Sequence, residues 1–400
     1  MRAEATAVDR VRLLSFGLVA VAVAGAVFLV NGLIATSGEA GMLGDLDIYR
    51  GAILYGFSGG DLYAWTYTHP TVHGLGFTYP PFAALVLAPF AFLASLPAKV
   101  VWTILTFAVL VWCLFVLVRA AERDPAGRPD AAGTRWHRLA WVAGLAIPVL
   151  ASYPFLHNLV VGQVSLFVVA LALCDHLLPR RWQGVLVGLA GAIKLTPLVF
   201  LPYYVLTRQW RQAAVCLGTF GAASALAWAV LPAASWSYWT DKLWQTGRVG
   251  RTESTVNKSL LGLLDRQLPD GAPVTLIWLA VAAAVAVLAY WRAAQHLRDG
   301  NLAAAALAVG ALSVAVSPIS WPHHELWLVF AAAWYLLLHG RLPLALGLGL
   351  FAVFVGYPWF DDYPAGTVGT LLGIGVELPA LAVLAVLGFG LRPGARSRAP

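Results

Sequence analysis

Apolar runs close to twenty residues long recur along almost the whole chain, and a run of that length matches the thickness of a bilayer's hydrocarbon core. They fall near 13–34, 81–96, 98–119, 139–155, 159–178, 184–207, 212–231, 273–294, 301–318, 324–339, 342–357 and 366–391. Of the 400 residues 60% are hydrophobic and 11% charged, where a soluble domain carries about 25% charged residues. The pattern predicts an all-α, polytopic transmembrane helical bundle forming one domain over 1–400. It excludes a soluble enzyme. The net charge of +7 does not point to nucleic acid, because the Lys and Arg residues lie in short clusters between apolar runs and form no continuous basic face.

Those clusters orient the chain. Arg2, Arg10 and Arg12 precede the first run, which is too long for a signal-peptide core and reads as an uncleaved anchor with a cytoplasmic N-terminus. Arg119 to Arg138, Arg180 with Arg181, Arg208 with Arg211, Arg292 with Arg298, Arg341 and the tail from Arg392 mark the other cytoplasmic turns. Segment 81–96 starts with Pro80-Pro81, carries Pro89 and has both ends outside, so it reads as a re-entrant piece. Lys194-Leu195-Thr196-Pro197 breaks 184–207 into two half-length helices. The count is about twelve crossings with both termini inside. The outer face then receives two large loops, 35–80 and 232–272, with Phe77–Pro81, Tyr153–Gln163, the Lys194 apex, Ser317–Glu325 and Tyr357–Tyr363, and on these segments falls nearly every non-basic polar cluster. No matching polar set is expected on the cytoplasmic side. Cys113, Cys174 and Cys216 all fall inside apolar runs and lack metal-ligand spacing.

Within the first outer loop, Asp45 and Asp47 stand at the start of a short amphipathic stretch whose Leu46, Tyr49, Ile53 and Phe57 recur at helical spacing. A helix N-terminus favours a carboxylate. One N-cap accounts for one of the two acids and leaves the other for chemistry. Lys194 lies in the middle of an apolar segment, where a cation is costly unless it meets an anion or snorkels; a phosphate is the better partner. His323-His324-Glu325 lack the His-Glu-x-x-His order of zinc proteases and a third ligand, so no metal is expected. One histidine suits a hydrogen bond to a carboxylate or phosphate. His157, Asn158 and Gln163 flank Gly162 at a helix start, and Arg248, Arg251, Asn257, Lys258 and Ser259 lie in the second outer loop. No nucleotide-binding glycine loop is present, which leaves a soluble nucleotide-sugar site unsupported.

The stretches Asp45–Tyr49, Phe77–Phe82 with Tyr79, Gly162-Gln163, Ile193–Pro197 and Ser317–His324 occur in order over about 280 residues. Together they resemble the motifs of the polyprenol-phosphate-mannose-dependent α-1,2-mannosyltransferases of actinobacteria, family 87 of the C-type glycosyltransferase fold. The resemblance implies Asp45 as catalytic base, His323 and His324 beside the active site, and Lys194 near the donor phosphate; by their place in the second outer loop, Arg248 and Arg251 are candidates for further phosphate contacts. Asp47, Tyr49, Tyr79, Asn158, Gln163, Asn257 and Lys258 would contact substrate. Lys258 stands where the family pattern has Gln.

The implied function is inverting transfer of mannose from polyprenyl phosphate mannose to a mannosylated glycolipid or lipoglycan acceptor. The site would be on the extracytoplasmic side of the plasma membrane and need no cofactor. The main alternative is a transporter or flippase for a lipid-linked sugar, because broken helices with an intramembrane lysine also occur there. A non-catalytic scaffold is the third.

Overall fold

A computed structural model describes residues 43–356 apart from 69–72, 125, 128–133 and 270. The expected crossings at 13–34 and 366–391, the N-terminal arginines and the C-terminal basic tail lie outside the described residues. Ahead of the first long apolar helix lie helix α1 (Gly44–Phe57) and a hairpin of β1 (Thr66–Thr68) and β2 (His73–Gly76), paired Thr66 to Gly76. This small sheet is a departure from the all-α expectation. Thr and Tyr alternate in β1, residue types that favour a strand.

The helices that follow are α2 (Pro81–Phe92), α3 (Ser95–Ala121), α4 (Arg135–Ala151), α5 (Tyr153–Val161), α6 (Ser165–Cys174) and α7 (Val185–Ile193). Next come α8 (Phe200–Leu206), α9 (Trp210–Val230), α10 (Pro232–Thr240), α11 (Leu260–Gln267) and α12 (Val274–Arg298). The described chain closes with α13 (Leu302–Val316), α14 (Leu326–Leu337) and α15 (Arg341–Gly356). Among the described residues α3, α9 and α12 are long and apolar enough to cross a membrane. The pair α4 and α5, bent by 74° at Ser152, would make a fourth if it is one span. The remaining apolar helices are shorter, so the expected twelve crossings are not reproduced as twelve full-length helices.

The breaks have local causes. Pro81 sits at the first position of α2, where its missing N–H costs nothing. At Leu93 and Ala94 the backbone is extended, so 81–96 is a 12-residue helix and a corner rather than one span. The sequence reading divides 139–178 between residues 155 and 159. The structure divides it instead at Ser152, which is extended, and at Gly162. The break inside 184–207 falls where expected. Lys194 is extended (φ −149°, ψ 126°), because Pro197 has no N–H to donate to the Ile193 carbonyl. A 3₁₀ turn (Thr196–Val199) then leads into α8.

Two apolar clusters hold the molecule together. The larger runs from α3 through α6, α13 and α14, whose alanine-rich surfaces let helices approach closely. All three cysteines are buried and unbridged. The smaller cluster gathers Leu46, Tyr49 and Ile53 of α1, Phe77, Tyr79, Ala83 and Ala84 at the start of α2, and Trp102 of α3. It roofs the place where the polar residues meet.

Candidate active site

α1 is fixed at its first turn. Leu43 adopts the left-handed conformation (φ 59°) and donates its N–H to the Val160 carbonyl at 2.7 Å. Gly162, also left-handed (φ 76°), ends α5 directly beneath it. A Cβ at Gly162 would lie 3.0 Å from Leu43 Cδ2, so only glycine fits both the backbone and the contact. This junction sets Asp45 against Gln163.

Neither acid is an N-cap, since Leu43 occupies that position and no side chain caps the helix. Both lie in the first turn of α1 and face different ways. Asp47 pairs with Lys99 of α3 at 2.8 Å and with Arg50 at 3.5 Å. Arg50 also donates to the carbonyls of Phe90 and Leu93, closing the end of α2. Asp47 therefore ties α1 to α2 and α3. Asp45 instead accepts a hydrogen bond from Gln163 Nε2. Gln163 Oε1 accepts from the Tyr79 hydroxyl at 2.7 Å and from the Tyr49 hydroxyl at 3.1 Å. Burial pushes the Asp45 carboxyl up to about 6, with the Gln163 hydrogen bond and the Lys194 charge pulling it back. Of the expected stripe on α1, Leu46, Tyr49 and Ile53 are buried, whereas Phe57 is exposed.

Lys194 reaches the same place from the break after α7. Its Nζ stands 5.3 Å from the centre of the Tyr79 ring, donates to Ser165 Oγ at 3.1 Å and lies 2.7 Å from His324 Nε2. His324 Nδ1 accepts the Trp321 N–H at 3.2 Å, which orients the ring. His323 stacks on His157 of α5, ring centres 5.2 Å apart, and meets His324 edge to face. Burial, together with the Lys194 charge, holds both 323 and 324 rings well below the usual histidine range. A pocket just beside Lys194 is lined by Ser165, Thr196, Ser313, His324 and Trp327.

Other sequence candidates take different places. Arg248 donates to the Phe77 carbonyl at 2.9 Å and covers the Tyr63 ring, behind the aromatic wall of the site. Arg251 points to solvent and pairs with Glu253 at 2.6 Å. Asn257 is a clip between loops: its Nδ2 donates to the Thr252 and Pro318 carbonyls, and its Oδ1 accepts the Ser259 and Ser320 N–H groups. Lys258 is buried and donates its backbone N–H to the Ser320 carbonyl. Asn158 is buried, and neither its Nδ2 nor its Oδ1 has a hydrogen-bond partner.

Sequence reasoning did not single out Ser165, Lys99 or the His157–His323 stack. Ser165 had one signal, its position two residues past Gln163. A second polar group, which sequence reasoning did not single out as a set, lies at the other end of α3. At the far end of α3, about 35 Å from Lys99 along the helix, a cavity of about 340 Å³ opens among Arg123, Asp124, His176, His296, Asp299 and Asn301. These residues come from separate turns, so no run of sequence announces them.

Asp45, Gln163, Tyr49, Tyr79, Lys194, Ser165 and His324 thus form one continuous polar cluster under an aromatic roof. A carboxylate stands on one side and an ammonium with a histidine on the other. Among the described residues no group of three or more His, Cys, Asp or Glu is arranged to hold a metal. Such a set suits proton acceptance on one side and stabilisation of an anion on the other.

Comparison with known proteins agrees with that chemistry. The family model of glycosyltransferase family 87 matches residues 77–318, which include Tyr79, Gln163 and Lys194 but neither Asp45 nor His324. The polyprenol-phosphate-mannose-dependent alpha-(1-2)-phosphatidylinositol mannoside mannosyltransferase of Mycobacterium tuberculosis is 32% identical over 292 residues, 71% of this chain and 68% of its own. A polyprenol-phosphate-mannose-dependent alpha-(1-2)-phosphatidylinositol pentamannoside mannosyltransferase of Mycolicibacterium smegmatis is 32% identical over 340 residues, 81% of this chain and 78% of its own. No solved structure matches. With more than half of its length matched by the family model and relatives of this identity covering most of it, the chain belongs to glycosyltransferase family 87.

Proposed function

We propose that this glycosyltransferase moves mannose from polyprenyl phosphate mannose to a mannosylated glycolipid such as a phosphatidylinositol mannoside, forming an α-1,2 linkage on the outer face of the membrane. Donor and acceptor classes follow the names of the relatives. The observation that carries the reading is the bridge from Asp45 through Gln163 and Tyr79 to Lys194. A base and an anion partner, held by one set of contacts, can face the two ends of a single sugar.

The acceptor hydroxyl attacks C1 of mannose, and its proton goes to Asp45. A positioned base contributes roughly 10²–10⁴-fold. The C1–O bond to phosphate breaks with its electron pair leaving on the phosphate oxygen, through an oxocarbenium-like state. Lys194, with His324 beside it, stabilises the charge that the lipid phosphate gains. A phosphate is a good leaving group, so no general acid is needed. Attack opposite the leaving group converts a β-linked donor into an α-linked product.

The test is purified protein incubated with polyprenyl phosphate mannose and a panel of mannosylated acceptors, read by mass spectrometry. A new mannosylated lipid is expected, and its anomeric configuration reports inversion. No product from any acceptor, with translocation of the intact donor across vesicles, would favour the flippase reading instead.

A further inference from the structure

We propose that Gln163 is the positioning residue of the base: held through its carbonyl by the Tyr49 and Tyr79 hydroxyls, it presents its amide N–H to Asp45 Oδ2 and leaves Oδ1 to take the acceptor's proton. The proposal rests on the reading of Asp45 as the base.

A carboxamide has a donor end and an acceptor end, and an ionised carboxylate only accepts. The end of Gln163 that meets Asp45 must therefore be nitrogen, and the other end accepts the two phenols, at 2.7 and 3.1 Å. Both tyrosines are buried, and burial holds their hydroxyls protonated as donors. Were the amide to flip, an oxygen would face the Asp45 carboxylate. The two phenols thus keep the donor end toward the base. Backbone contacts add to the constraint, since Gln163 donates its own N–H to the Asn158 carbonyl at 2.9 Å beside the left-handed Gly162. Among the described residues Asp45 Oδ1 has no hydrogen-bond partner, so one oxygen is pinned and one is open.

Tyr79 gives this arrangement a second consequence. Its hydroxyl belongs to the base side, and its ring face meets Lys194. One side chain therefore sets the spacing between the group that takes the proton and the group that meets the leaving phosphate. The titratable groups that act on Asp45 are Lys194, Tyr49 and Tyr79, with His324 behind Lys194.

The test is the pH profile of kcat/KM. Activity needs ionised Asp45, so the wild-type acid limb should lie near 6. Gln163→Leu removes a hydrogen bond that favours the charged form, and the limb should move up by about one pH unit. At pH 7 that shift by itself should lower kcat/KM about twofold, and at pH 6 about fivefold, with KM for donor and acceptor little changed. Gln163→Glu sets a second carboxylate against Asp45, and the limb should move further in the same direction. Tyr49→Phe combined with Tyr79→Phe should lower kcat in the wild-type background and have less effect in Gln163→Leu, as members of one relay must.

An acid limb that stays in place while KM rises would make Gln163 a substrate contact and overturn the proposal. So would full additivity of the tyrosine and glutamine changes. Wild-type turnover in Asp45→Asn would overturn the base itself. Inactive Asp45→Asn beside an unmoved limb in both glutamine variants would overturn only the role of Gln163.

Discussion

Replacing Asp45 by Asn tests whether a carboxylate is held in a place that disfavours its charge. Burial moves its carboxyl from 3.8 to about 6. A folded state that binds the proton more tightly than the unfolded chain loses stability as pH rises through that window. The penalty is absent below 3.8 and complete above about 6. At about 1.4 kcal/mol per tenfold in acidity it amounts to roughly 3 kcal/mol, and water at the half-buried site trims that to about 1–2 kcal/mol. Asparagine has nearly the same shape, keeps an oxygen to accept from Gln163, and carries no charge. Asp45→Asn should therefore abolish product formation yet raise the melting temperature at pH 7.5 by roughly 1–4 °C. The gain should fade toward pH 4. The assay is thermal unfolding in detergent, followed by tryptophan fluorescence at both pH values, beside turnover of the same preparations. A melting temperature lowered at pH 7.5, or raised equally at both values, would refute the claim that Asp45 carries an unfavourable buried charge.

Lys194→Ala removes the ammonium between His324 and Ser165; turnover should fall at least 10²-fold at saturating donor, and unchanged kinetics would remove it from the phosphate site. Asp47→Asn leaves Lys99, which is only 7% exposed, without its carboxylate. That variant should lose about 3 kcal/mol of stability, with little change in KM for the fraction that folds. Gly162→Ala forces a Cβ into a left-handed residue against Leu43. It should cost about 1–3 kcal/mol and lower kcat as well, because the same junction sets Asp45 against Gln163. Chelator should leave the rate unchanged; clean metal dependence would demand another role for the acids.

The sequence carried the membrane class, a helix at α1, the break at Lys194 and the residue types of the candidate site, because each leaves a local mark. Long apolar runs, helical spacing, a proline four residues past Ile193 and a lysine among apolar neighbours are all readable one segment at a time. Motif order carried the family. Length alone could not say whether an apolar run is one span or two short helices, since Ser152 and Gly162 break the chain by backbone geometry inside continuous hydrophobic sequence. Nor could it separate Asp45 from Asp47. The two acids differ only in which face of α1 they occupy, and that matters only once Lys99 and Gln163 have been brought up from 52 and 118 residues away. Asn257 looked like a substrate contact and is a loop clip, because its four partners come from both sides of a gap of about sixty residues. The chain's local chemistry selected a lipid-embedded helical protein with acids, a lysine and histidines to spare. Packing alone decided which of them face one another, because long-range contacts leave no periodicity in the sequence.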